Sequence, residues 1–394
     1  MTRKKILFVG DAACPSGFAR STHAVCDVLH ETHDVTVLGI NYRADPHSYP
    51  YPIYCAAVGG DELGVGRLIW MMDTVQPDVV VVQNDPWNFK YYTKQLKKFK
   101  EYARVPIVGY VAVDGKNCRG DMLNDLELAV FWTKFGECEA KAGGFKNRSA
   151  VVPLGVDRVL FSPGDRVEAR RRLKIPVDIA ERAFVVGAVN RNQPRKRFDL
   201  VIRYFAEWVR SHKIEDAFLF MHVAPTGDQG FDVQHLARYY GVLPRLMLSE
   251  PQVFYGSSEE AMRDTYRSFD VALTTTQGEG FGLTTFEAMA CGVPVIAPDW
   301  SALGELCKDS AWLVPCTSTA ATIGQSVIGG VPDEAATVQA LDTMYNDVNV
   351  RREHVDRGLK VVARPEYDWR NVGLAFRDAL ESVFAAPEVA ACAV

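Results

Sequence analysis

Two stretches of this 394-residue chain carry residue types whose spacing can grip a phosphorylated ligand. The first runs Gln277-Gly278-Glu279-Gly280-Phe281-Gly282-Leu283 and continues through Glu287 to Ile296. It reads as the end of a strand, a glycine-rich turn and a helix opening at about Leu283. Gly280 and Gly282 allow a ligand close to backbone N–H groups, and the new helix offers its positive end to phosphate oxygens, which makes Gly280, Phe281, Gly282 and Leu283 candidate binding positions. Glu279 lies on the turn, whereas Glu287, one turn into the helix, can accept hydrogen bonds from a diol such as ribose. The second stretch, Asn190-Arg191-Asn192-Gln193-Pro194-Arg195-Lys196-Arg197-Phe198-Asp199, follows the apolar run Phe184–Val189. Four cations in seven residues at the carboxyl end of a strand form a cradle for a diphosphate, arginine suiting bidentate contact and lysine acting as a point charge. A solvated basic loop explains this second stretch alone equally well, and its place in the order strand, basic loop, Glu-Gly-Phe-Gly turn favours the phosphate.

Glu279 and Glu287 have seven residues between them and are followed by Ala-Met-Ala-Cys-Gly-Val-Pro-Val-Ile. This resembles the E-x7-E signature of the large retaining GT-B glycosyltransferase family that includes sucrose-phosphate synthases and bacterial mannosyltransferases. The resemblance implies that Glu279 contacts hydroxyls of a donor sugar, that Glu287 binds the nucleotide ribose, and that Arg191 and Lys196 hold the leaving diphosphate. Further matches are Val152-Pro153-Leu154-Gly155-Val156-Asp157 with Phe161 and Pro163, where Leu154 replaces the family's usual Asn. Ser249–Val253 with Phe254-Tyr255-Gly256 is similar to the segment bordering the nucleobase, which makes Phe254 a donor-binding candidate. Tyr266-Arg267-Ser268-Phe269-Asp270 leads into the strand before Glu279. Core packing accounts for these three stretches equally well.

Gly10-Asp11-Ala12-Ala13-Cys14-Pro15-Ser16-Gly17-Phe18 follows the first apolar run and opens a helix, but it is not G-x-G-x-x-G, so a nicotinamide site is not supported. By resemblance Gly17 belongs to a glycine loop over the donor phosphates, and Asp114 stands where relatives carry an acid or histidine near the acceptor. Asn84-Asp85 reads as a structural cap.

These residues need strands and helices to position them. Short apolar runs recur at Ile6–Val9, Val35–Leu38, Val79–Val82, Ile107–Val111 and Ala150–Val152, then at Phe184–Val189, Phe218–Met221, Val271–Leu273, Val293–Ala297 and Trp312–Val314. Continuous β-branched runs suit parallel strands buried on both faces. The expected fold is α/β: two doubly wound Rossmann-like domains of GT-B type facing a cleft, with ligands at the carboxyl ends of the strands. The expected domains are 1–157 on the acceptor side and 158–369 for the nucleotide sugar. A terminal amphipathic helix over 370–386 crosses back onto the first domain, as it does in the family.

A formal charge of -5, 48% hydrophobic and 24% charged residues describe a globular enzyme rather than a disordered chain. Nine scattered cysteines without a C-x-x-C pair argue against zinc ribbons and disulfide frameworks, so a reducing cytoplasm is expected, that of a host if the gene is a phage's. Only four apolar residues follow the basic Met1–Lys5 before Gly10-Asp11, which predicts a buried strand rather than a signal peptide or membrane anchor. The chain has no D-x-D and its histidines lack ligand spacing, so no metal and no cofactor beyond the nucleotide-diphosphate sugar is expected, UDP being favoured. His222 is expected in or beside a core strand.

The acceptor is an unspecified hydroxyl compound. Lys90 through Arg148 holds 12 Lys and Arg against 7 Asp and Glu, with aromatics interleaved, which would draw an anionic acceptor, nucleic acid or lipid headgroup. A solvated lysine face on an amphipathic helix is the plainer account. The Asn-Gln-Pro-Arg-Lys-Arg phrasing resembles a phage-type branch, which implies glycosylation of hydroxylated DNA bases as the sharper alternative. A nucleotide-sugar-binding protein without transfer, an epimerase and a phosphorylase are the competing classes. The phosphorylase would need a much longer chain with a pyridoxal-bearing lysine.

Overall fold

A computed structural model describes residues 3–224, 230–249 and 256–385. They divide into two compact units. The first takes the residues up to Val113, Cys118–Leu154 and those from Trp369 on, and the second takes Asp114–Asn117 and Gly155–Asp368.

The first unit is built on a seven-stranded sheet: β1 (Lys5–Asp11), β2 (Asp34–Ile40), β3 (Ile53–Cys55), β4 (Val79–Asn84), β5 (Ile107–Val111), β6 (Leu128–Phe131) and β7 (Arg148–Val151). Their order is β3-β2-β1-β4-β5-β6-β7 and every pairing is parallel. Ile6 to Val9 and Val79 to Val82 have no exposed surface, as unbroken apolar runs require when helices cover both faces. The helix Gly17–His30 starts at Ser16, whose hydroxyl accepts from the N–H of Ala19. Against it packs the helix Trp369–Phe384, which buries Val372, Phe376 and Leu380, sets Phe376 edge-on to Tyr110 at 4.9 Å and pairs Arg370 with Glu31 at 2.6 Å. Residue 386 of the expected terminal helix lies outside the described residues.

The second unit repeats the plan with β8 (Phe184–Val189), β9 (Ala217–His222), β10 (Leu246–Ser249), β11 (Val271–Leu273), β12 (Val295–Pro298) and β13 (Trp312–Val314), ordered β10-β9-β8-β11-β12-β13 and parallel throughout. A buried ion pair ties its start to its sheet. Asp270 accepts from Arg170 at 2.7 Å and from the N–H of Val185 at 2.8 Å, while Arg166 reaches its other oxygen at 2.6 Å. An antiparallel hairpin, β14 (Cys316–Ala321) and β15 (Ile328–Pro332), stands apart from the sheet.

In each sheet the strand order reverses once, between β1 and β4 and between β8 and β11. Ligands of doubly wound sheets settle at the carboxyl ends of the strands flanking such a reversal. The basic loop follows β8 and the Glu-Gly-Phe-Gly turn follows β11, so this topology brings two segments about 80 residues apart to one place.

Candidate functional site

Lys196 ends a short 3-10 turn, Pro194–Lys196, in the loop after β8. Arg197 then takes a left-handed backbone, φ 52°, and opens the helix Phe198–Ser211. The turn directs the Lys196 side chain inward, where only 6% of the residue is exposed, and its ammonium donates to both carboxylate oxygens of Glu279 at 2.6 and 2.7 Å. Asn190 donates to the same carboxylate at 3.3 Å. Arg195 spans the site: one guanidinium nitrogen donates to the Gly278 carbonyl at 2.8 Å and lies 3.7 Å from Glu279, and another pairs with Asp114 at 3.2 Å.

Burial pushes the Glu279 carboxyl up, but Lys196, Arg195 and the Asn190 amide outweigh it and hold the group below the ordinary carboxylate range. Burial, reinforced by Arg195, brings Lys196 down to about 8 against the pull of Glu279 and Asp114. At neutral pH the pair is therefore ionised. An ion pair this deeply buried contributes little net stability, because desolvation offsets most of its attraction. Its value is to hold a cation and an acid ready where β8 and β11 end.

The turn itself is held from three sides. Gln277 donates its N–H to the Arg195 carbonyl at 2.8 Å, and the N–H of Glu279 donates to Ser301 Oγ at 3.0 Å. A Cβ on Gly278 would meet the Asp114 carbonyl oxygen at 1.8 Å, so only glycine lets that segment approach. Gly282 caps the helix Leu283–Ala290 in a left-handed conformation, φ 98°, and no side chain caps it. The first N–H groups of that helix are the donors such an end presents to an anion. Phe281 is 1% exposed and packs on Phe286 at 4.6 Å and Tyr367 at 6.1 Å, so a ligand can meet it only through its backbone.

Glu287 lies in the same helix, 4% exposed, and its Oε2 accepts from the Tyr266 hydroxyl at 2.6 Å. Asp114 precedes a segment that the hairpin β14–β15 grips: Lys116 and Ile328 exchange both backbone hydrogen bonds, 3.0 and 2.9 Å, and Asn117 donates to the Ser326 carbonyl at 2.9 Å. The Lys116 ammonium stands 4.7 Å from the Trp300 ring.

Glu279, Lys196, Asp114, Gly280, Gly282 and Leu283 thus share one hydrogen-bonded neighbourhood or border it, with Glu287 one helical turn away. Arg191 is on the same loop as Lys196, and its residue is exposed. Gly17 belongs to the first unit, at the helix start after β1, where Ser16 donates to Asp11 at 2.6 Å. In that unit His23 accepts from the N–H of Ala13 at 2.8 Å and pairs with the Tyr51 hydroxyl at 2.9 Å. Phe254 lies outside the described residues, as does most of the segment around it. His222 ends β9 and bonds Ser249 at 3.0 Å. Among the described residues no group of three His, Cys, Asp or Glu side chains is placed to hold a metal ion.

Four residues take part that the motifs do not single out. Asn190 and Arg195 stand inside the basic stretch, and Arg195 could have been singled out as the cation next to Lys196. Ser301 had no such signal: it stands 22 residues beyond Glu279 and takes part through a left-handed backbone, φ 50°. By sequence Tyr266 reads only as part of the approach to a strand.

Residues 145–374 match the family model described as "Family 4 Glycosyltransferase in conflict systems". The D-inositol 3-phosphate glycosyltransferase of Acidothermus cellulolyticus is 32% identical over 171 residues, 42% of this chain and 36% of that protein. Its counterpart in Stackebrandtia nassauensis is 31% identical over 221 residues, 55% and 45% of the two chains. The match therefore spans less than half the length of these curated relatives. Among solved structures, sucrose-phosphate synthase from Thermosynechococcus elongatus superposes with a TM-score of 0.75 at 16% identity, covering 97% of this chain and 100% of that one. Anabaena HepE in complex with UDP-glucose gives 0.71 at 17%, covering 96% and 100%. At such identities the likeness speaks for the fold, which is GT-B. With more than half its length inside the family model, this chain belongs to the family 4 glycosyltransferases of conflict systems.

Proposed function

We propose that the protein transfers a sugar from a nucleotide-diphosphate sugar, a UDP-sugar first, to a hydroxyl acceptor, with retention of anomeric configuration and without a metal ion. The observation that carries this reading is the buried Lys196–Glu279 pair beside the helix Leu283–Ala290, whose start no side chain caps. Lys196, Arg191 and the first N–H groups of the helix meet the charge that builds on the departing diphosphate. Glu279 orients hydroxyls of the sugar, Glu287 the ribose, and Gly17 approaches the phosphates. UDP is favoured because HepE, of the same fold, is described in complex with UDP-glucose.

In the step we propose, the bond from the anomeric carbon to the diphosphate oxygen breaks as the acceptor oxygen bonds to the same face of that carbon. The acceptor's proton passes to the leaving phosphate oxygen. Preorganised donors aimed at developing charge are the largest catalytic contribution such a site offers. To Asp114, 3.2 Å from Arg195, we assign a role toward the acceptor. We place the acceptor among anionic hydroxyl compounds, nucleic acid included. The support is the excess of cations over Lys90–Arg148 and the exposed Tyr91, whose ring has the Lys90 ammonium at 5.1 Å. The eight described cysteines are all free thiols, which supports a reducing compartment, and no described helix is long and apolar enough to cross a membrane.

The test is hydrolysis of UDP-glucose without acceptor, followed by proton NMR with and without EDTA. Slow release of α-glucose, unchanged by the chelator, is expected. First appearance of the β-anomer overturns retention, dependence on metal overturns the charge assignment, and tight binding without any turnover favours a binding protein.

A further inference from the structure

We propose that Tyr266 is a positioning residue for nucleotide recognition: its phenol fixes the Glu287 carboxylate in the orientation that receives the ribose diol. The inference rests on the reading of Glu287 given above and extends it to a residue that acts through another side chain.

The geometry is specific. A carboxylate only accepts, so the phenol is the donor, and 2.6 Å falls in the range of a charge-assisted O–H···O⁻ bond. Both residues are buried, Tyr266 at 1% and Glu287 at 4% exposure. The tyrosine ring is itself held, edge-on to Phe161 at 5.9 Å and to Phe269 at 6.3 Å. Tyr266 sits in the last turn of the helix Glu259–Arg267 and Glu287 in the helix Leu283–Ala290, two helices that pack together.

Two adjacent hydroxyls demand two lone pairs in one plane at a fixed roll. A glutamate side chain is flexible, and without a fixed partner the roll of its carboxylate would have to be frozen when the ligand binds, at a cost in side-chain entropy. A hydrogen bond from an immobile phenol freezes it beforehand, which is how supporting residues sharpen a binding group. The competing account is that Tyr266 merely satisfies a buried acid. The two differ in what happens to a ligand that lacks the diol.

The experiment is calorimetric titration of the whole chain with UDP, GDP and ADP, and then with the 2′,3′-dideoxy form of whichever binds. Wild type is expected to prefer the ribose form by about tenfold, the worth of a charged hydrogen bond. In Tyr266→Phe that preference should shrink to about threefold or less, with dideoxynucleotide affinity nearly unchanged. A full preference in Tyr266→Phe overturns the positioning role and leaves Glu287 in place. Equal weakening for both ligands overturns it too, as the mark of a purely structural residue. If wild type does not discriminate, or none of the three nucleotides binds, the ribose reading itself fails. Should Tyr266→Phe not fold, Phe161→Leu loosens the ring while keeping the hydroxyl, and the same selective loss is expected. An equal loss on both ligands there overturns the proposal.

Discussion

The ammonium of Lys196 bridges both oxygens of the Glu279 carboxylate, at 2.6 and 2.7 Å, although the two residues belong to loops after different strands. Neither charge could stay buried without the other, so the positions of cation and acid are set as one unit. On the proposed reading, a phosphate at Lys196 and a sugar at Glu279 would be placed by the same contact.

Lys196→Ala should lower kcat for donor turnover by about 100-fold, near 3 kcal/mol of transition-state stabilisation, with a smaller rise in donor KM. Steady-state UDP release measures both. Because Glu279 is left buried without its cation, the variant should also lose stability, by about 3 kcal/mol in urea unfolding. Unchanged turnover would remove Lys196 from the chemistry.

The alkaline limb of kcat/KM should fall with an apparent pKa near 8, the value to which burial and Arg195 bring Lys196. Above that pH the amine is neutral and no longer meets diphosphate charge. The limb of kcat should lie higher, since a bound diphosphate favours the ammonium. A limb that stays flat to pH 10 would contradict the assignment.

Acid should destabilise both units. Burial brings His23 and His222 to about 4 from an ordinary 6.5, His47 adding to the effect at His23. A histidine whose folded value is depressed leaves the folded state with fewer protons than the unfolded chain between pH 4 and 6.5. Stability is thus complete above pH 6.5 and is lost as pH falls toward 4, by up to about 2 kcal/mol per histidine at pH 5. In the first unit protonation also breaks the bond His23 accepts from Ala13. Urea titrations at pH 7 and 5, compared between wild type and His222→Asn, check the second unit's share, and an equal pH response in both would refute it.

Asp270→Ala should cost about 3–5 kcal/mol, because it leaves Arg170 buried and unpaired. At a temperature where the variant is folded, nucleotide affinity should match wild type. Thermal melting and calorimetry together separate this structural acid from Glu279 and Glu287.

Where the chain announces its fold, it does so through runs buried on both faces. β5, β8, β11 and β13 coincide with their apolar runs, Ile107–Val111, Phe184–Val189, Val271–Leu273 and Trp312–Val314. Short β3, β6 and β10, of three or four residues, do not stand out among their neighbours. The hairpin β14–β15 was invisible for another reason: its Thr, Ser and Ala residues are largely exposed, so no apolar alternation marks it. The glycine turn and the basic loop stand out by residue type, through Gly280, Gly282, Lys196 and Arg191, and the fold sets them after β11 and β8. What the motifs could not show is pairing across the chain, such as Ser301 with the Glu279 N–H or Tyr266 with Glu287, which exists only once the strands are ordered.

The helix Trp369–Phe384 has a consequence for how the protein is made. It covers the helix Gly17–His30, with Gly373 seated against Val28 and Ala24, yet it is translated after the whole of the second unit. A nascent chain on the ribosome therefore carries an N-terminal Rossmann sheet with one apolar helix flank bare for more than two hundred residues of elongation. Fragments that stop short of Trp369 should be captured by chaperones or precipitate, whereas a chain that reaches Phe384 can close that flank.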